Sequence, residues 1–600
     1  MRNAETILGI IRDRGSRGLP LEDVYRQLFN PSLYLAAYGK ISANTGAMTP
    51  GVTDETADGM SLEKIQHIIG LLREEKHRWS PARRVYIEKK GSTKTRPLGI
   101  PTWTDKLVQE VVRLILEAYY EPQFSTRSHG FRPGRGCHTA LKEIRLTWQA
   151  TAWFIEGDIK GCFDNLDHEV LMGILRERIH DNRFLRLIEN LLKAGYLEDW
   201  RYNHTYSGSP QGGVVSPILS NIYLDRLDKY VEQVLVPKYT RGKNRRRNPK
   251  YRTLFEMSKR REEWGQTKEA RVLRKQYQAI PSVDPTDPNY RRLRYVRYAD
   301  DFLLGFAGPK NEAEDIKQRL GEYLRDTLKL ELSEAKTLIT HGRTEAARFL
   351  GYDITVLDGN NRLTRTTDGR VLRGISGNIG LKVPMEVIRA KSAPYMAHGK
   401  PIHRKERTHD TAFSIVERYA NEYRGIVDYY RMAYNLHRFN YLDWVMETSL
   451  TKTLAHKLRI SVPQVYRRFS DTIQTEYGPR AVLRVEVPRE GRKPLVAMWG
   501  DTNLRWRANA ILDDNPKPTW NKRTEIVERL LADTCELCGS QERAQVHHIR
   551  ALKDLRQKGR QEKPEWITIM AARRRKTLVL CQPCHSNVHS GKPLSRTLQG

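Results

Sequence analysis

The sequence predicts an α+β protein of several domains, and three observations support this prediction. Short strand patterns alternate with amphipathic helical patterns from the N-terminus to about residue 360. Long helical patterns dominate residues 376–470, where Ile415, Tyr419 and Tyr423 recur at helical spacing. Two Cys-x-x-Cys pairs near the C-terminus indicate a small metal-stabilised unit. The 600 residues are enough for about two to four domains with buried cores.

Tyr298-Ala299-Asp300-Asp301 is the segment most indicative of chemistry. Apolar residues precede and follow it, which predicts a strand, a tight turn and a second strand. Two adjacent carboxylates at such a bend are suited to bridge two divalent ions about 3.5 to 4 Å apart, as nucleotidyl transfer requires. A solvated hairpin tip would explain the same four residues if they stood alone.

Three upstream segments fit the same kind of site. Asp158 ends the apolar run Trp153-Phe154-Ile155, which predicts a strand that delivers a third carboxylate. Residues 209–217 contain adjacent glycines, which allow a backbone to approach a flat substrate closely. Lys94 and Arg96 follow a strand-like segment and offer cations for a triphosphate, although each could instead be a surface cation on a hairpin.

Taken in order, these segments resemble the reverse transcriptase encoded by group II introns. The matching motifs are Arg96-Pro97-Leu98-Gly99-Ile100-Pro101, Gly157-Asp158-Ile159-Lys160, Ser209-Pro210-Gln211-Gly212-Gly213 and Tyr298-Ala299-Asp300-Asp301. Residues 332–337 and 349–352 are similar to the family's late palm and primer-gripping segments, and residues 45–54 are similar to its N-terminal motif. The resemblance covers nearly the whole chain.

The resemblance implies a right-hand polymerase followed by accessory domains. The expected domains are an N-terminal extension with fingers (1–110), a palm (111–360) with a basic insertion at about 236–292, a helical thumb or maturase X domain (361–475), a basic DNA-binding region (476–530) and a C-terminal ββα-metal HNH zinc domain (531–600).

The resemblance also implies roles in the polymerase site. Asp158, Asp300 and Asp301 are expected to hold two Mg²⁺ ions, which would activate the primer 3′-hydroxyl and stabilise the leaving pyrophosphate. Phe163 is expected to exclude a 2′-hydroxyl and so favour DNA as product, with a core phenylalanine as the alternative. The expected substrate-binding residues are Lys94, Arg96, Phe163, Gln211, Gly212 and Lys336.

The charge of the chain indicates a polyanionic partner. Lys and Arg number 103 against 71 Asp and Glu, a formal net charge of +32, which suits nucleic acid. A membrane surface also attracts cations, but the sequence has no run of about 18 apolar residues. The N-terminus resembles neither a secretory signal nor an Arg-rich transit segment, so we expect a location inside a bacterial cell, in the cytoplasm or nucleoid.

Two basic segments are candidates for nucleic-acid contact. The segment Lys238–Arg261, centred on Arg245-Arg246-Arg247, is either a solvated linker or insertion, or an arm that neutralises RNA phosphates. Residues 480–530 interleave cations with Trp499, Trp506 and Trp520, which would suit stacking on bases.

The C-terminal cysteines and histidines predict two metal sites. Cys535, Cys538, Cys581 and Cys584 form two knuckles suited to tetrahedral Zn²⁺ ligation. With the neighbouring histidines they resemble the HNH nuclease fold, which implies that His548 is the general base and that one divalent ion, Mg²⁺ or Mn²⁺, lies among His547, His585 and His589. Thr577-Leu578 stands where many members have Asn-Leu, so the orienting role of that Asn is unassigned.

A nuclease that leaves a 3′-hydroxyl and a polymerase that copies RNA together imply target-primed reverse transcription. The implied partners are group II intron RNA in a lariat ribonucleoprotein, with one monomer per RNA, together with target DNA and dNTPs; the family also assists splicing as a maturase. The rival functions are a splicing cofactor with a decayed polymerase site, an HNH homing nuclease fused to RNA-binding helices, and a domesticated or retron-like reverse transcriptase. The three aspartates, the six ordered motifs and the zinc-linked nuclease argue against these rivals in turn.

Overall fold

The protein is described here by a computed structural model. The described residues are 3–44, 46–88, 95–198, 201–203, 212–358, 364–365, 371–372, 377–489, 492–507, 510, 525–555, 564–573 and 575–591. Lys94, Gln211 and Trp520 lie outside them. The predicted mixture of helices and strands is confirmed.

The N-terminal part, as far as it is described, contains four α-helices, the two-residue strand β1 and the β2–β3 hairpin. Its elements are α1 (Ala4–Ser16), α2 (Pro31–Ile41), β1 (Met60–Ser61), α3 (Leu62–Arg73), β2 (Ala82–Glu88), β3 (Thr95–Ile100) and α4 (Trp103–Tyr120). Helix α2 begins where Asn30 caps it, accepting a hydrogen bond from the Ser32 backbone N–H, with Pro31 in its first turn. Its Tyr34 and Tyr38 are fully buried, which fixes this helix firmly in the core.

The central part alternates helices and strands. Its elements are α5 (Cys137–Thr147), β4 (Trp153–Asp158), α6 (His168–Arg176), α7 (Asn182–Lys193), β5 (Tyr196–Glu198), β6 (Arg201–Asn203), α8 (Ser216–Tyr230), α9 (Val236–Lys238), α10 (Pro249–Glu263), α11 (Thr267–Gln278), β7 (Arg292–Tyr298), β8 (Asp301–Ala307), α12 (Lys310–Leu328) and β9 (Ile339–His341).

Four of these strands form one antiparallel sheet in the order β7-β8-β4-β9. Strand β8 is apolar and buried from Phe302 to Ala307, as expected for a strand covered on both faces. The predicted strand, turn and strand around Tyr298-Ala299-Asp300-Asp301 is confirmed by β7 and β8. A second sheet has the strand order β3-β2-β5-β6, so that it joins the N-terminal hairpin to two strands of the central part.

The basic segment after α9 is folded, since its second half forms α10, which pairs with α11. Helices α10 and α11 pair as a hairpin, and Ser258 on α10 donates a hydrogen bond to the Ala270 carbonyl on α11. Arg246 pairs with Asp284, and Arg274 pairs with Glu262. Part of the positive charge of this insertion is therefore neutralised within the fold.

In its described residues, the third part combines four α-helices with several small antiparallel sheets. Its elements are β10 (Ala347–Phe349), β11 (Tyr352–Val356), β12 (Thr364–Arg365), β13 (Val371–Leu372), β14 (Ile379–Lys382), α13 (Met385–Ser392), β15 (Met396–Ala397), β16 (Lys400–Pro401), α14 (Ala412–Tyr429), α15 (Asn440–Leu458), α16 (Val462–Phe469), β17 (Ser470–Thr475), β18 (Gly478–Arg489) and β19 (Arg492–Trp499). The predicted helix through Ile415, Tyr419 and Tyr423 is confirmed, and these side chains lie in its core.

The expectation that Trp499 stacks on nucleic acid is wrong. Trp499 is only 2% exposed, because strand β19 packs against α14 and brings the indole 5.2 Å from the ring of Tyr423. Trp506 is partly exposed, but its indole N–H donates to the Met432 carbonyl, and Arg145 lies over its ring. Both indoles are thus engaged within the protein.

The C-terminal part is small and is joined to the N-terminal part. It consists of α17 (Glu525–Leu531), β20 (Gln545–His548), α18 (Glu565–Arg573), β21 (Thr577–Leu580) and α19 (Gln582–Ser590). Strand β1 adds to this part, giving a sheet in the order β1-β20-β21. Ala57 and Met60 share a hydrophobic core with Leu530, Val546 and Val579, so the two ends of the chain are packed together.

Within the described residues, the helices are too short or too polar for any of them to cross a membrane.

Candidate catalytic centres

Three aspartates lie together at one edge of the central sheet. In the antiparallel pairing of β4 with β8, Asp158 is directly opposite Asp301. Asp300 precedes Asp301 in the turn, where Ala299 adopts a left-handed φ of +57° that reverses the chain. Strand pairing thus brings together carboxylates that are far apart in the sequence.

Burial among like charges raises the pKa of two of these aspartates, Asp300 and Asp301. The pKa of Asp301 is raised to about 7, mainly by burial and in addition by the negative charges of Asp300 and Asp158. Burial also raises the pKa of Asp300, an effect that Arg96 and Lys336 partly offset. The ionised forms are therefore disfavoured until a cation is placed among them, so this donor set fits divalent ions.

Lys336 forms an ion pair with Asp158. Its Nζ donates to Asp158 Oδ2 at 2.8 Å, and this bond raises the pKa of the lysine. The Lys336 side chain is 67% exposed, so it can exchange this carboxylate for a phosphate oxygen without loss of buried packing.

A fully buried ion pair between Arg297 and Asp228 contacts the turn that carries Asp300 and Asp301. Arg297 binds both carboxylate oxygens of Asp228, with its Nε and Nη2 each 2.7 Å away. Its Nη1 donates to the Ala299 carbonyl at 2.8 Å, which fixes the turn that carries Asp300. Both side chains of the pair are 0% exposed. Arg297 and Asp228 were not foreseen from the sequence, because Arg297 is one of three arginines in β7 and only the fold shows that it is the buried one.

The other expected substrate-binding residues lie on elements around this edge. Arg96 is exposed on β3 and close enough to Asp300 to lower its pKa. Gly212 adopts a φ of +108°, and an added Cβ would lie 2.6 Å from the Gly99 carbonyl oxygen, so a larger residue cannot fit there without a shift. Phe163 is half-buried, with its ring 6.3 Å from that of Phe131.

The four C-terminal cysteines form one cluster. Their sulfur atoms, from Cys535, Cys538, Cys581 and Cys584, all lie within 4.8 Å of one another. Thiolates around a shared Zn²⁺ are separated by comparable distances, since each Zn–S bond is about 2.3 Å. The cluster therefore fits a structural zinc ion, and it ties the loop before β20 to the start of α19.

Next to this cluster, the predicted ββα arrangement is present in β20, β21 and α19. His547 and His548 lie on β20, whereas His585 and His589 lie one turn apart on α19. The ring centres of His585 and His589 are 4.7 Å apart, and that of His547 is 5.2 Å from His589. The three histidines expected to hold an ion are thus brought together.

His548 is placed separately from these three rings. Its Nε2 is hydrogen-bonded to the Tyr38 hydroxyl at 2.7 Å, and burial lowers the pKa of His548 to about 4. The imidazole is therefore neutral at neutral pH, as a general base must be. Thr577 is directly opposite His548 in the β20–β21 pairing, but its hydroxyl accepts a hydrogen bond from Arg529.

The N-terminal part contributes Asp58 to the histidine cluster. The carboxylate oxygens of Asp58 lie 2.7 Å from His589 Nε2 and 3.3 Å from His585 Nε2. Tyr38 and Asp58 were both missed from the sequence, because their nearness to β20 depends on a contact between opposite ends of the chain.

Comparison with known families matches three segments of the chain. Residues 87–354 match the family of reverse transcriptases (RNA-dependent DNA polymerases), and residues 376–484 match the type II intron maturases. Residues 535–585 match the AI2M/AI1M-like HNH endonucleases. The first match contains the three aspartates, and the HNH match contains the four cysteines.

Similar proteins come from bacteria and fungi. The chain is 40% identical to the group II intron-encoded protein LtrA of Lactococcus lactis subsp. cremoris, over 94% of this chain and 95% of that protein. It is 34% identical to an uncharacterized 91 kDa protein in the cob intron of Schizosaccharomyces pombe, over 94% of this chain and 69% of that protein. The chain therefore belongs to the family of group II intron-encoded proteins and combines reverse transcriptase, maturase and HNH endonuclease domains.

Proposed function

We propose that this protein nicks one strand of a target DNA at its C-terminal centre and extends the new 3′ end at its central centre, with intron RNA as template. The observation that carries the proposal is the direct pairing of Asp158 with Asp301 beside Asp300. Three carboxylates at one sheet edge repel one another unless cations lie among them.

The proposed domains follow the order of the sheets. The sheet β7-β8-β4-β9 belongs to a palm over residues 111–360, and the sheet β3-β2-β5-β6 lies largely in the fingers. Helices α13 to α16 belong to a thumb or maturase X domain over residues 361–475. Residues 476–530 are proposed to form a DNA-binding region and residues 531–600 an HNH domain. Because β18 and β19 pack against α14, the proposed DNA-binding region is continuous with the thumb.

In the polymerase centre, Asp158, Asp300 and Asp301 hold the metal ions. Two Mg²⁺ ions bound there would supply activation of the primer hydroxyl and charge neutralisation for the pyrophosphate. Arg96 reaches the site from β3 and suits bidentate capture of phosphate oxygens. Lys336 offers a second, exposed cation.

Three further residues are proposed to position the nucleotide. Phe163 sits in the turn after Asp158 and packs edge-on against Phe131, which suits a wall that rejects a ribose 2′-hydroxyl. Gly212 allows the backbone after Gln211 to lie against Gly99 on β3. Lys94 and Gln211 are proposed to contact phosphate and base on the resemblance alone.

A primer-extension assay tests the polymerase. Purified protein is given an RNA template, a DNA primer, Mg²⁺ and dNTPs, and Asp301→Asn is compared with Asp326→Asn. Asp326 is an exposed carboxylate on α12 paired with Arg325, so it controls for the loss of one charge. We expect extension by Asp301→Asn to fall below about 1% of the wild-type rate, and equal rates in the two variants would remove the polymerase from the proposal.

In the nuclease centre, His548 is the proposed base that takes a proton from water. It lines a cleft of about 1040 Å³ with four cations, Arg529, Arg550, Arg575 and Lys576, and two carboxylates, Glu525 and Asp554. A cleft lined by cations suits a DNA backbone. His547, His585 and His589 hold a divalent ion, Mg²⁺ or Mn²⁺, which would supply stabilisation of the cleaved phosphate.

A nicking assay with the ribonucleoprotein tests this centre. We expect His548→Ala to lower strand nicking by about 100-fold to 10,000-fold, since a positioned acid–base group contributes that much. Splicing and primer extension should remain. His67→Ala, an exposed histidine on α3, is the matched control. Nicking by His548→Ala at the control rate would show that another residue is the base.

Intron RNA is the proposed partner, with one protein monomer per RNA. The formal net charge of +32 supports binding to a polyanion, and affinity for the intron should fall steeply with salt. The insertion that carries α10 and α11 is proposed to contribute cations of the Arg245-Arg246-Arg247 segment, of which Arg246 is paired with Asp284. Target DNA and dNTPs are the other proposed ligands.

A further inference from the structure

A carboxylate from the N-terminal part lies among the three histidines of the nuclease centre. One donor atom from each of Asp58, His547, His585 and His589 can be chosen so that all four lie within 4.8 Å of one another. Ligands of a common ion at bonds of about 2.1 Å are at most about 4.2 Å apart, so these four atoms need only a small contraction.

Asp58 is held in this place by backbone contacts and not only by its charge. The Gly59 N–H donates to the Val546 carbonyl at 3.0 Å, and Met60 pairs with Val546 in the β1–β20 register. The His548 backbone N–H donates to Asp58 Oδ1 at 2.6 Å. Gly59 has a left-handed φ of +73°, which turns the chain directly after Asp58. The carboxylate is thus preorganised.

The histidine rings are arranged as metal ligands. His547 is only 4% exposed, and its Nδ1 lies 3.4 Å from Asp58 Oδ1, while its Nε2 has no hydrogen-bond partner among the described residues. An unpaired buried nitrogen costs about 1–3 kcal/mol unless a ligand satisfies it. His585 Nδ1 lies 2.8 Å from Gln545 Oε1, so it can donate there and leave the Nε2 lone pair directed at Asp58 and His589.

We propose that Asp58 is the fourth protein ligand of the nuclease metal ion, so that this centre is shared between the two ends of the chain. The proposal rests on the nuclease function proposed above. Three neutral imidazoles alone favour borderline ions such as Zn²⁺, whereas an added carboxylate oxygen suits the harder Mg²⁺ or Mn²⁺. Such ions prefer six ligands, so four protein atoms leave positions for water and a phosphate oxygen.

Binding of Mn²⁺ to the zinc-loaded full chain tests the proposal directly. All proteins carry Asp300→Asn and Asp301→Asn to silence the polymerase site. Asp58→Asn keeps an oxygen that can accept from the His548 N–H but removes the charge. We expect it to weaken Mn²⁺ binding about 100-fold. Loss of a group that only orients a metal ligand costs up to about that much, and loss of a ligand charge should cost at least as much. Glu63→Gln removes an exposed carboxylate that pairs with Arg543 across the same interface, and its Mn²⁺ affinity should equal that of the parent.

Hydrogen exchange gives a second readout that does not depend on activity. An ion shared by Asp58 and the histidines stabilises the docked state of the N-terminal segment. We therefore expect Mn²⁺ to slow amide exchange over residues 57–61 in the parent and in Glu63→Gln, but not in Asp58→Asn.

The outcomes separate this proposal from the nuclease function itself. If His585→Ala loses Mn²⁺ but Asp58→Asn binds it as the parent does, the ion rests on the histidines alone and the fourth-ligand proposal is overturned. If His585→Ala binds Mn²⁺ as the parent does, the histidine centre holds no ion, and the proposed nuclease fails together with this inference. If Mn²⁺ does not slow amide exchange over residues 57–61 in the parent, the shared site is also overturned.

Discussion

The hydroxyl of Tyr38 lies 2.7 Å from Nε2 of His548, and the two rings meet edge-on. This hydrogen bond fixes the orientation of the His548 ring, and which partner donates depends on the imidazole tautomer. If Nε2–H donates to the hydroxyl, Nδ1 is the basic nitrogen. Tyr38 is therefore a positioning residue for His548, whose neighbour on the paired strand is Thr577.

Removal of this hydroxyl should slow nicking. Tyr38→Phe leaves Nε2 of His548 unpaired, so we expect about a 10-fold to 100-fold loss, as for removal of a group that orients a functional histidine. Primer extension should be unchanged. Tyr34→Phe on the same helix removes a buried hydroxyl that donates to the Leu28 carbonyl, and it controls for lost stability. Faster nicking by Tyr38→Phe would show that the hydroxyl restrains the base instead of orienting it.

Metal binding at the polymerase centre should depend on pH. The pKa of Asp301 is raised to about 7, so below pH 7 this carboxyl is mostly protonated in the metal-free protein. A cation must then displace the proton, and affinity should fall about tenfold per pH unit as the pH drops below 7 and level off above it. Mn²⁺ titration between pH 6 and 8, with His585→Ala and His589→Ala in the background, measures this. An affinity that is flat across this range would contradict the raised pKa.

The buried pair beneath the acidic turn should be costly to break. Arg297→Met leaves the Asp228 carboxylate buried without its partner, so we expect a loss of about 3–5 kcal/mol in the free energy of unfolding, measured by urea titration. Arg325→Met breaks the exposed pair with Asp326 and should change stability by less than about 1 kcal/mol. Similar urea midpoints for the two variants would argue against an essential pair.

Loss of one zinc ligand should affect only the C-terminal activity. Cys584→Ser removes a thiolate from the cluster, so we expect loss of bound zinc, measured by elemental analysis, and loss of nicking. RNA-templated extension should continue, because Asp158, Asp300 and Asp301 are carried by the sheet β7-β8-β4-β9, to which the four cysteines do not belong. Cys137→Ser, outside the cluster, should retain zinc. Full zinc content in Cys584→Ser would remove the four-cysteine site.

Selection against ribonucleotides should depend on Phe163. Replacement by Ala opens the half-buried place beside Phe131, so we expect Phe163→Ala to incorporate ribonucleotides more readily in primer extension. Phe131→Ala removes the neighbouring ring and separates packing from the proposed gate. Unchanged discrimination in Phe163→Ala would reject the role.

The sequence predicted those parts of the centres that depend on local patterns. Apolar residues around Tyr298-Ala299-Asp300-Asp301 were sufficient to predict β7, the turn and β8. The spacing of four between His585 and His589 was sufficient to predict one face of α19. These features follow from strand and helix periodicity.

Other parts depend on contacts that no local pattern contains. Tyr38 and His548 are 510 residues apart, and nothing in the α2 sequence distinguishes Tyr38 from the core residue Tyr34. Trp499 was misjudged for the same reason, since a basic neighbourhood did not reveal that β19 packs on α14. Packing between distant segments, and not propensity, decides these positions.

The short sheet β1-β20-β21 has a consequence for any shortened form of the chain. A protein cut before residue 525 would lose Leu530, Val546 and Val579, and would leave Ala57 and Met60 facing water. An exposed apolar strand edge of this kind is prone to aggregation, because it can pair with strands of other chains. Deletion of the nuclease would therefore disturb the beginning of the reverse transcriptase, so the two activities cannot be separated by truncation as cleanly as by point substitution.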